Sequence, residues 1–373
     1  MKTKVLSFAY LLLLLHLTGC SKESEILLSP NELFTAQIVA QTPIVKGVWS
    51  IEKAQAWYAT HKWLSGSDYI PSTAINQLEM WQADTFDPIT IDKELGWGED
   101  IGFNTMRVFL HSVAWKQDPE GFKKRVDQFL TIAAKHKIEP ILVFFDDCWN
   151  WFPKEGKQPD PQPGVHNSGW MQDPGQYASS DTSNFPGLEK YLVDVITYFA
   201  HDKRILLWDL YNEPGSGEKK DLSMALLQKT FQWARAVNPD QPLSAGLWEW
   251  NLENLNAFQA LNSDIITYHS YGEPDEHFRV IRWLKGSGRP LICTEYLART
   301  KNSRFSNILP LLKNENIGAI NWGLVAGKTN TIYAWNTPLT NGAQPIEWFQ
   351  DIFFKDGTPY RKDEIDLIKE LNK

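Results

Sequence analysis

Cysteine is almost absent: three residues in 373, with no Cys-x-x-Cys and no Cys/His pattern of zinc-binding spacing. That excludes a disulfide-built scaffold and a structural zinc module. Basic runs are missing as well. Lys and Arg number 37 against 45 Asp and Glu, a net charge of -8. Without a clustered basic surface nothing neutralises a phosphate backbone, so nucleic acid is excluded as a partner. The eight His residues include no His-Glu-x-x-His or comparable spacing, so no metal is implied, nor is any other cofactor. No glycine-rich turn follows the first predicted strand, which removes a phosphate-cradling dinucleotide fold. The longest apolar stretch, Val5 to Leu15, falls short of the about 20 residues that span a bilayer.

Aromatic residues, in contrast, are plentiful: 17 Trp, 19 Phe and 12 Tyr. Such rings either fill a core or stack against sugar faces. The amino terminus reads as an address. Lys2 and Lys4 precede the apolar stretch, which ends in Leu17-Thr18-Gly19-Cys20, a sequence that resembles the bacterial lipobox. This predicts a lipoprotein signal peptide over 1–19, lipidation at Cys20, a tether and lead-in over 20–45, and a catalytic body over 46–373. The body is then exported to the cell envelope, at the outer membrane or cell surface, and touches the membrane only through acyl chains. A monomer is expected. Cys148 and Cys293 flank apolar segments and read as buried thiols rather than a bridge.

Beyond the tether, short apolar runs alternate with longer segments of helical period. Buried parallel strands read as continuous apolar runs because both faces are covered. The clearest are Ile141 to Phe145, Ile205 to Tyr211, Asp264 to Tyr271 and Leu291 to Glu295. Weaker ones are Asp68 to Pro71, Thr105 to His111, Leu243 to Leu247 and Gly318 to Trp322. Between Glu120 and Lys137, Phe122, Val126, Phe129 and Ala133 recur at spacings of four, three and four, one apolar face of a helix opened by Asp118-Pro119. Further helices are predicted near 89–101, 187–201, 219–237, 251–261, 275–285 and 305–316. Eight such units predict an α/β fold, a single (β/α)₈ barrel. One connection is disproportionate: Asp147 to Phe185, rich in Pro, Gly, Trp149, Trp151, His166 and Trp170, predicts an ordered loop over the barrel mouth.

Active sites of such barrels lie at the carboxyl ends of the strands. Two acids stand there at the close of otherwise apolar runs: Glu213 after the fourth strand and Glu295 after the seventh. A carboxylate in that position needs pairing or water. Two facing each other across a mouth are the equipment of glycoside hydrolysis, one protonated to assist the leaving oxygen and one ionised to attack or to activate water. Their separation, which sequence does not measure, selects retention or inversion.

WDLYNEPG at 208–215 together with ICTEY at 292–296 resembles the retaining glycosidases that carry an Asn-Glu pair on strand four, among them the cellulase-like and mannanase-like family 5 hydrolases. The resemblance implies Glu213 as general acid/base, Glu295 as nucleophile, and Asn212 on the 2-hydroxyl of the sugar. His269-Ser-Tyr271 matches the His-x-Tyr of strand six, with Tyr271 orienting the nucleophile and His269 lining the site. Arg107 in MRVFLH matches the strand-two arginine that keeps the nucleophile ionised, and Trp322 in INWGL matches the strand-eight tryptophan that floors the subsite. SDYIPSTAINQLEMWQADTFDP at 67–88 resembles the opening of bacterial proteins labelled xylanase or cellulase. One departure is clear. Many family 5 members carry a His shortly after strand three, whereas this chain reads Phe145-Asp146-Asp147-Cys148-Trp149; His111 or His166 are candidates for that space.

Asp146 and Asp147 are expected to bind sugar hydroxyls, with Trp170 and Trp248 as further substrate contacts. Trp250 reads equally as platform or packing, Asp209 as a satisfied buried group, and Trp335 and Trp348 as packing. The expected function is a retaining β-glycoside hydrolase acting on a polysaccharide or its oligosaccharides. Two rivals use the same features: a surface glycan-binding lipoprotein without catalysis, and a transglycosylase on the same two-step mechanism.

Overall fold

The computed structural model describes residues 34–339 and 341–373. The predicted signal peptide and Cys20 lie outside the described residues. Eight strands form the predicted barrel: β1 (Ser65–Asp68), β2 (Thr105–Phe109), β3 (Ile141–Asp146), β4 (Leu207–Asn212), β5 (Leu243–Ser244), β6 (Ile266–His269), β7 (Leu291–Glu295) and β8 (Gly318–Trp322). Seven parallel pairings run continuously from β5 through β1 and β8 to β6. The ring closes between β5 and β6 through a single parallel bridge, Leu247 with Tyr268. Leu247 N donates to Thr267 O at 3.0 Å there, and His269 N donates to Leu247 O at 2.8 Å.

Helices follow the strands around the outside. The helix Pro119–Lys135 buries Phe122, Val126, Phe129 and Ala133, the face that the spacing predicts, and its Asp118 cap accepts from Gly121 N at 2.9 Å. Substituting such a cap by Ala costs about 1 kcal/mol.

Inside the ring the side chains fall into layers. Leu64, Ile141, Leu207, Ile265, Ile292 and Ile320 form an apolar plug, closed from below by Ala54 and Tyr58 of the helix Ile51–Tyr58. Above the plug the interior turns charged, around Arg107. At the carboxyl ends Phe109, Val143, Trp170 and Trp322 pack together.

The first strand lies three residues earlier than its apolar segment suggests. Ser-Gly-Ser-Asp is polar, but the small residues are needed there: a Cβ on Gly66 would lie 2.0 Å from the carbonyl oxygen of Thr105.

Candidate active site

Strand ends deliver the site. Asn212 ends β4, His269 β6, Glu295 β7 and Trp322 β8. Glu213 follows β4 directly at φ 43°, a left-handed conformation that costs a non-glycine residue about 1–3 kcal/mol and recurs where a functional side chain must be aimed.

Arg107 lies at the centre, fully buried. Its Nη1 donates to Asp68 Oδ1 at 2.9 Å and to Glu295 Oε1 at 2.8 Å, its Nε to Asp209 Oδ2 at 2.9 Å, and its Nη2 to Asn212 Oδ1 at 2.6 Å. Burial pushes the carboxyls of Asp68 and Asp209 upward, and the guanidinium opposes that shift in both. The bond to Asn212 also fixes its amide. With Oδ1 held by the cation, Nδ2 donates to Asp146 Oδ1 at 2.9 Å and faces Cys148 Sγ at 3.5 Å.

Glu213, His269 and Glu295 each bring one potential ligand atom to within 4.8 Å of the others. That donor set is compatible in principle with a cation. Here, however, Arg107 already supplies the positive charge at Glu295, and Tyr271 donates its hydroxyl to the other oxygen, Oε2, at 2.7 Å. His269 sits between the two acids, with Nδ1 2.8 Å from Glu213 Oε1 and Nε2 3.5 Å from Glu295 Oε1. Gly246 leaves the room, since a Cβ there would lie 3.1 Å from His269 Nε2.

The environments of the two acids differ. Burial raises the Glu213 carboxyl to about 7, opposed by a bond from the Cys148 thiol, whose Sγ is 3.0 Å from Oε2. Burial raises Glu295 to about 7 as well, with His269, Arg107 and Tyr271 opposing the shift and Glu213 adding to it. Burial keeps the imidazole of His269 neutral, its pKa lowered to about 4. Two carboxylates this close share protons as a unit.

A cavity of about 920 Å³ opens over the pair, within the range of about 300–1,000 Å³ typical of ligand pockets. Asn212, Glu213, His269, Tyr271, Glu295 and Trp322 line it together with Trp170 and Trp248. Trp248 is anchored by its Nε1, which donates to Pro214 O at 3.1 Å.

The family model for cellulase, glycosyl hydrolase family 5, matches residues 75–328. The chain belongs to glycosyl hydrolase family 5. It is therefore a glycosidase, on the barrel that its sequence predicts. No curated protein matches this family 5 chain. Among solved structures, the hyperthermostable endo-1,4-β-D-mannanase of Thermotoga petrophila is similar at 14% identity and TM-score 0.55, over 83% of this chain and 99% of that one. The exo-β-1,4-mannosidase of Opitutaceae bacterium strain TAV5 is similar at 16% identity and TM-score 0.58, over 83% and 59%. A Streptomyces cattleya protein solved with GlcNAc is similar at 12% identity and TM-score 0.58, over 83% and 80%.

The structure of this family 5 chain moves three expected substrate contacts off the cavity. Asp147 is fully buried beneath the loop after β4, where it accepts from Tyr211 Oη, Gly215 N, Lys219 Nζ and Ser223 Oγ. Asp146 lies behind the wall and accepts from Trp170 Nε1 at 2.7 Å as well as from Asn212. Both therefore hold parts of the site and do not face it. Arg107 likewise acts from below. Of the two histidines considered beside strand three, His166 lines the cavity, its Nδ1 2.7 Å from Tyr333 O. His111 is buried at a helix cap, where Nδ1 accepts from Val113 N. The position beside Glu213 belongs to Cys148.

Trp335 corrects another expectation. It lines the cavity, with its ring 4.8 Å from Tyr271 and Lys301 Nζ 4.4 Å above it. It sits far along the connection after β8, where no strand-end signal marks it. Trp250 also lines the cavity, whereas Trp348 is buried against Tyr360.

Proposed function

We propose that the chain hydrolyses β-glycosidic bonds with retention, Glu295 being the nucleophile and Glu213 the general acid and base. The observation that carries this is the pair itself. One oxygen of each acid lies within 4.8 Å of the other, which suits the close spacing of retaining enzymes, about 5–5.5 Å between carboxyl groups, better than the about 6.5–9.5 Å of inverting ones. The asymmetry assigns the roles. Arg107 in direct contact and the Tyr271 hydroxyl favour the ionised form of Glu295. Burial raises both acids to about 7, so the contacts separate them: among the described residues no cation touches Glu213, and the proton the pair shares is assigned there.

In the first step a Glu295 oxygen attacks the anomeric carbon. The bond to the leaving oxygen breaks, and that oxygen takes the proton of Glu213. In the second step Glu213 removes a proton from water, the water oxygen attacks the same carbon, and Glu295 departs as carboxylate. Two inversions give net retention. Asn212, its Oδ1 held by Arg107 and its Nδ2 by Asp146, lines the cavity where the 2-hydroxyl of the sugar would lie. A β-1,4-linked hexose chain is the substrate class we favour, mannosides first, because the similar structures include a mannanase and a mannosidase.

The test uses two variants and the product anomer. Glu213→Gln is expected to lose about 10²-fold or more on substrates with poor leaving groups and far less on activated aryl glycosides. Glu295→Ala is expected to be inactive until azide is added, then to yield a glycosyl azide of inverted configuration. Release of the α-anomer first from a β-glycoside by the wild type would overturn the double displacement.

A further inference from the structure

The cavity is lopsided. Residues following β3 through β8 line it; among the described residues, none that follows β1 or β2 does. That side of the mouth is sealed. Trp170 folds back over the ends of β2 and β8, its ring centroid 5.0 Å from Phe109 and 5.5 Å from Trp322, and Ile70, just beyond β1, packs against the same cluster. It is 3% exposed, and beside it His166 is 3% and Asn167 1% exposed.

Behind these rings three connections are tied to one another in pairs. From the loop after β3 to the loop after β8, Asn167 N donates to Thr329 O at 2.8 Å, Leu339 N to Gly164 O at 3.0 Å and Asn330 Nδ2 to Gln162 O at 2.9 Å. From the segment after β1 to the loop after β3, Asn76 Nδ2 donates to Gly169 O and to Gln158 Oε1, both at 2.8 Å, and Gln77 Nε2 to Met171 O at 3.0 Å. From the loop after β8 to the segment after β1, Lys328 N donates to Ser72 O at 3.2 Å and Lys328 Nζ to Glu79 Oε1 at 2.6 Å. The seams are tight. A Cβ on Gly164 would lie 1.8 Å from Leu339 O, and one on Gly327 would lie 2.6 Å from Ser72 Cα.

The dyad gives this wall a direction. Glu295 must face the anomeric carbon of the sugar that is kept, and Glu213 the oxygen that leaves. The kept sugar therefore lies on the side of Glu295, Trp322 and Tyr271, against the wall. The leaving group lies on the side of Glu213, Trp248 and Trp250, where the exposed Gly217 also lines the cavity.

We propose that the glycone side accepts one terminal sugar, so that the enzyme removes single sugars from the non-reducing ends of β-linked chains. This rests on the retaining-glycosidase reading and adds its mode of attack. A chain continuing from the kept sugar would have to pass through Trp170, Asn167 and His166.

The experiment digests β-1,4-mannotetraose and β-1,4-cellotetraose, each labelled at the reducing end, and samples at early times, beside aryl β-mannoside and β-glucoside. The expected first products are labelled trisaccharide and unlabelled monosaccharide, with labelled disaccharide following. Unlabelled disaccharide among the first products would show that two sugars fit behind Glu295 and would overturn the proposal while leaving the glycosidase intact. Silence on both tetrasaccharides and both aryl glycosides would instead remove the glycosidase reading for these sugars and the proposal with it.

Discussion

Cys148 shows how one residue sets the working range of a site. Burial holds its thiol well above its ordinary pKa, so it stays a donor, and its bond to Glu213 Oε2 favours the ionised carboxylate. Removing it raises the Glu213 pKa further. Cys148→Ala is therefore expected to move the alkaline limb of the kcat/KM profile upward by about one pH unit, the equivalent of one hydrogen bond to a charged group. Cys148→Ser, which keeps a donor, is expected to move it much less; an unshifted alkaline limb in the alanine variant would refute the role. Glu213 and Glu295 were legible in the sequence because an acid closing an apolar strand is costly and demands a reason. Asp146 and Asp147 were not. At a strand end, whether a carboxylate faces the cavity or the loop depends on which donors the loop brings, and Gly215, Lys219 and Ser223 come from beyond the next strand. Arg107 was legible as a partner of Glu295, but its grip on Asp68 and Asp209 needs the closed ring.

Elements carry their own pH dependence. His277, on the helix Pro274–Lys285, is buried with its Nε2 3.0 Å from Tyr268 Oη, and burial lowers its pKa to about 3. The folded-state pKa is depressed, so its contribution to stability is intact above the ordinary value near 6.5 and is lost as pH falls below it, by about 1.4 kcal/mol per unit. His277→Gln, neutral throughout, is expected to lose about 2–3 kcal/mol less than wild type between pH 6.5 and 4.5 in urea unfolding; parallel curves would contradict this. Most elements were readable because the barrel's strands are covered on both faces and its helices on one. β5 was overestimated, since its ladder stops at Ser244 and resumes only at Leu247. The short helices Gln77–Trp81 and Ser112–Gln117 lie within strand-to-helix connections and are too brief to show a period.

Across the whole molecule, the long connections are fastened to the barrel by another buried cation. Arg299 donates Nε and Nη2 to Glu364 at 3.0 and 2.7 Å, Nη1 to the carbonyls of Trp348 and Gln350, and Nη2 to that of Asp351. It thereby joins the end of β7 to the helix Lys362–Leu371 and to the stretch after Trp335. A lysine cannot reproduce that fork. Arg299→Lys, which keeps the charge but leaves buried carbonyls without donors, is expected to cost about 1–3 kcal/mol, read as a lower unfolding midpoint; a loss below about 0.5 kcal/mol would show that the segment holds without the fork. The loop wall itself was only half legible. Its length and tryptophans announced an ordered cover, but the pairing of three connections far apart in sequence left no local signature. That wall also fixes the order of traffic. On the proposed retaining mechanism, with the glycone side walled off, the released group departs before water enters, and the freed sugar leaves last through the same doorway. A sugar lingering in the doorway stands where water must stand, so crowded substrate is expected to be lengthened as well as shortened.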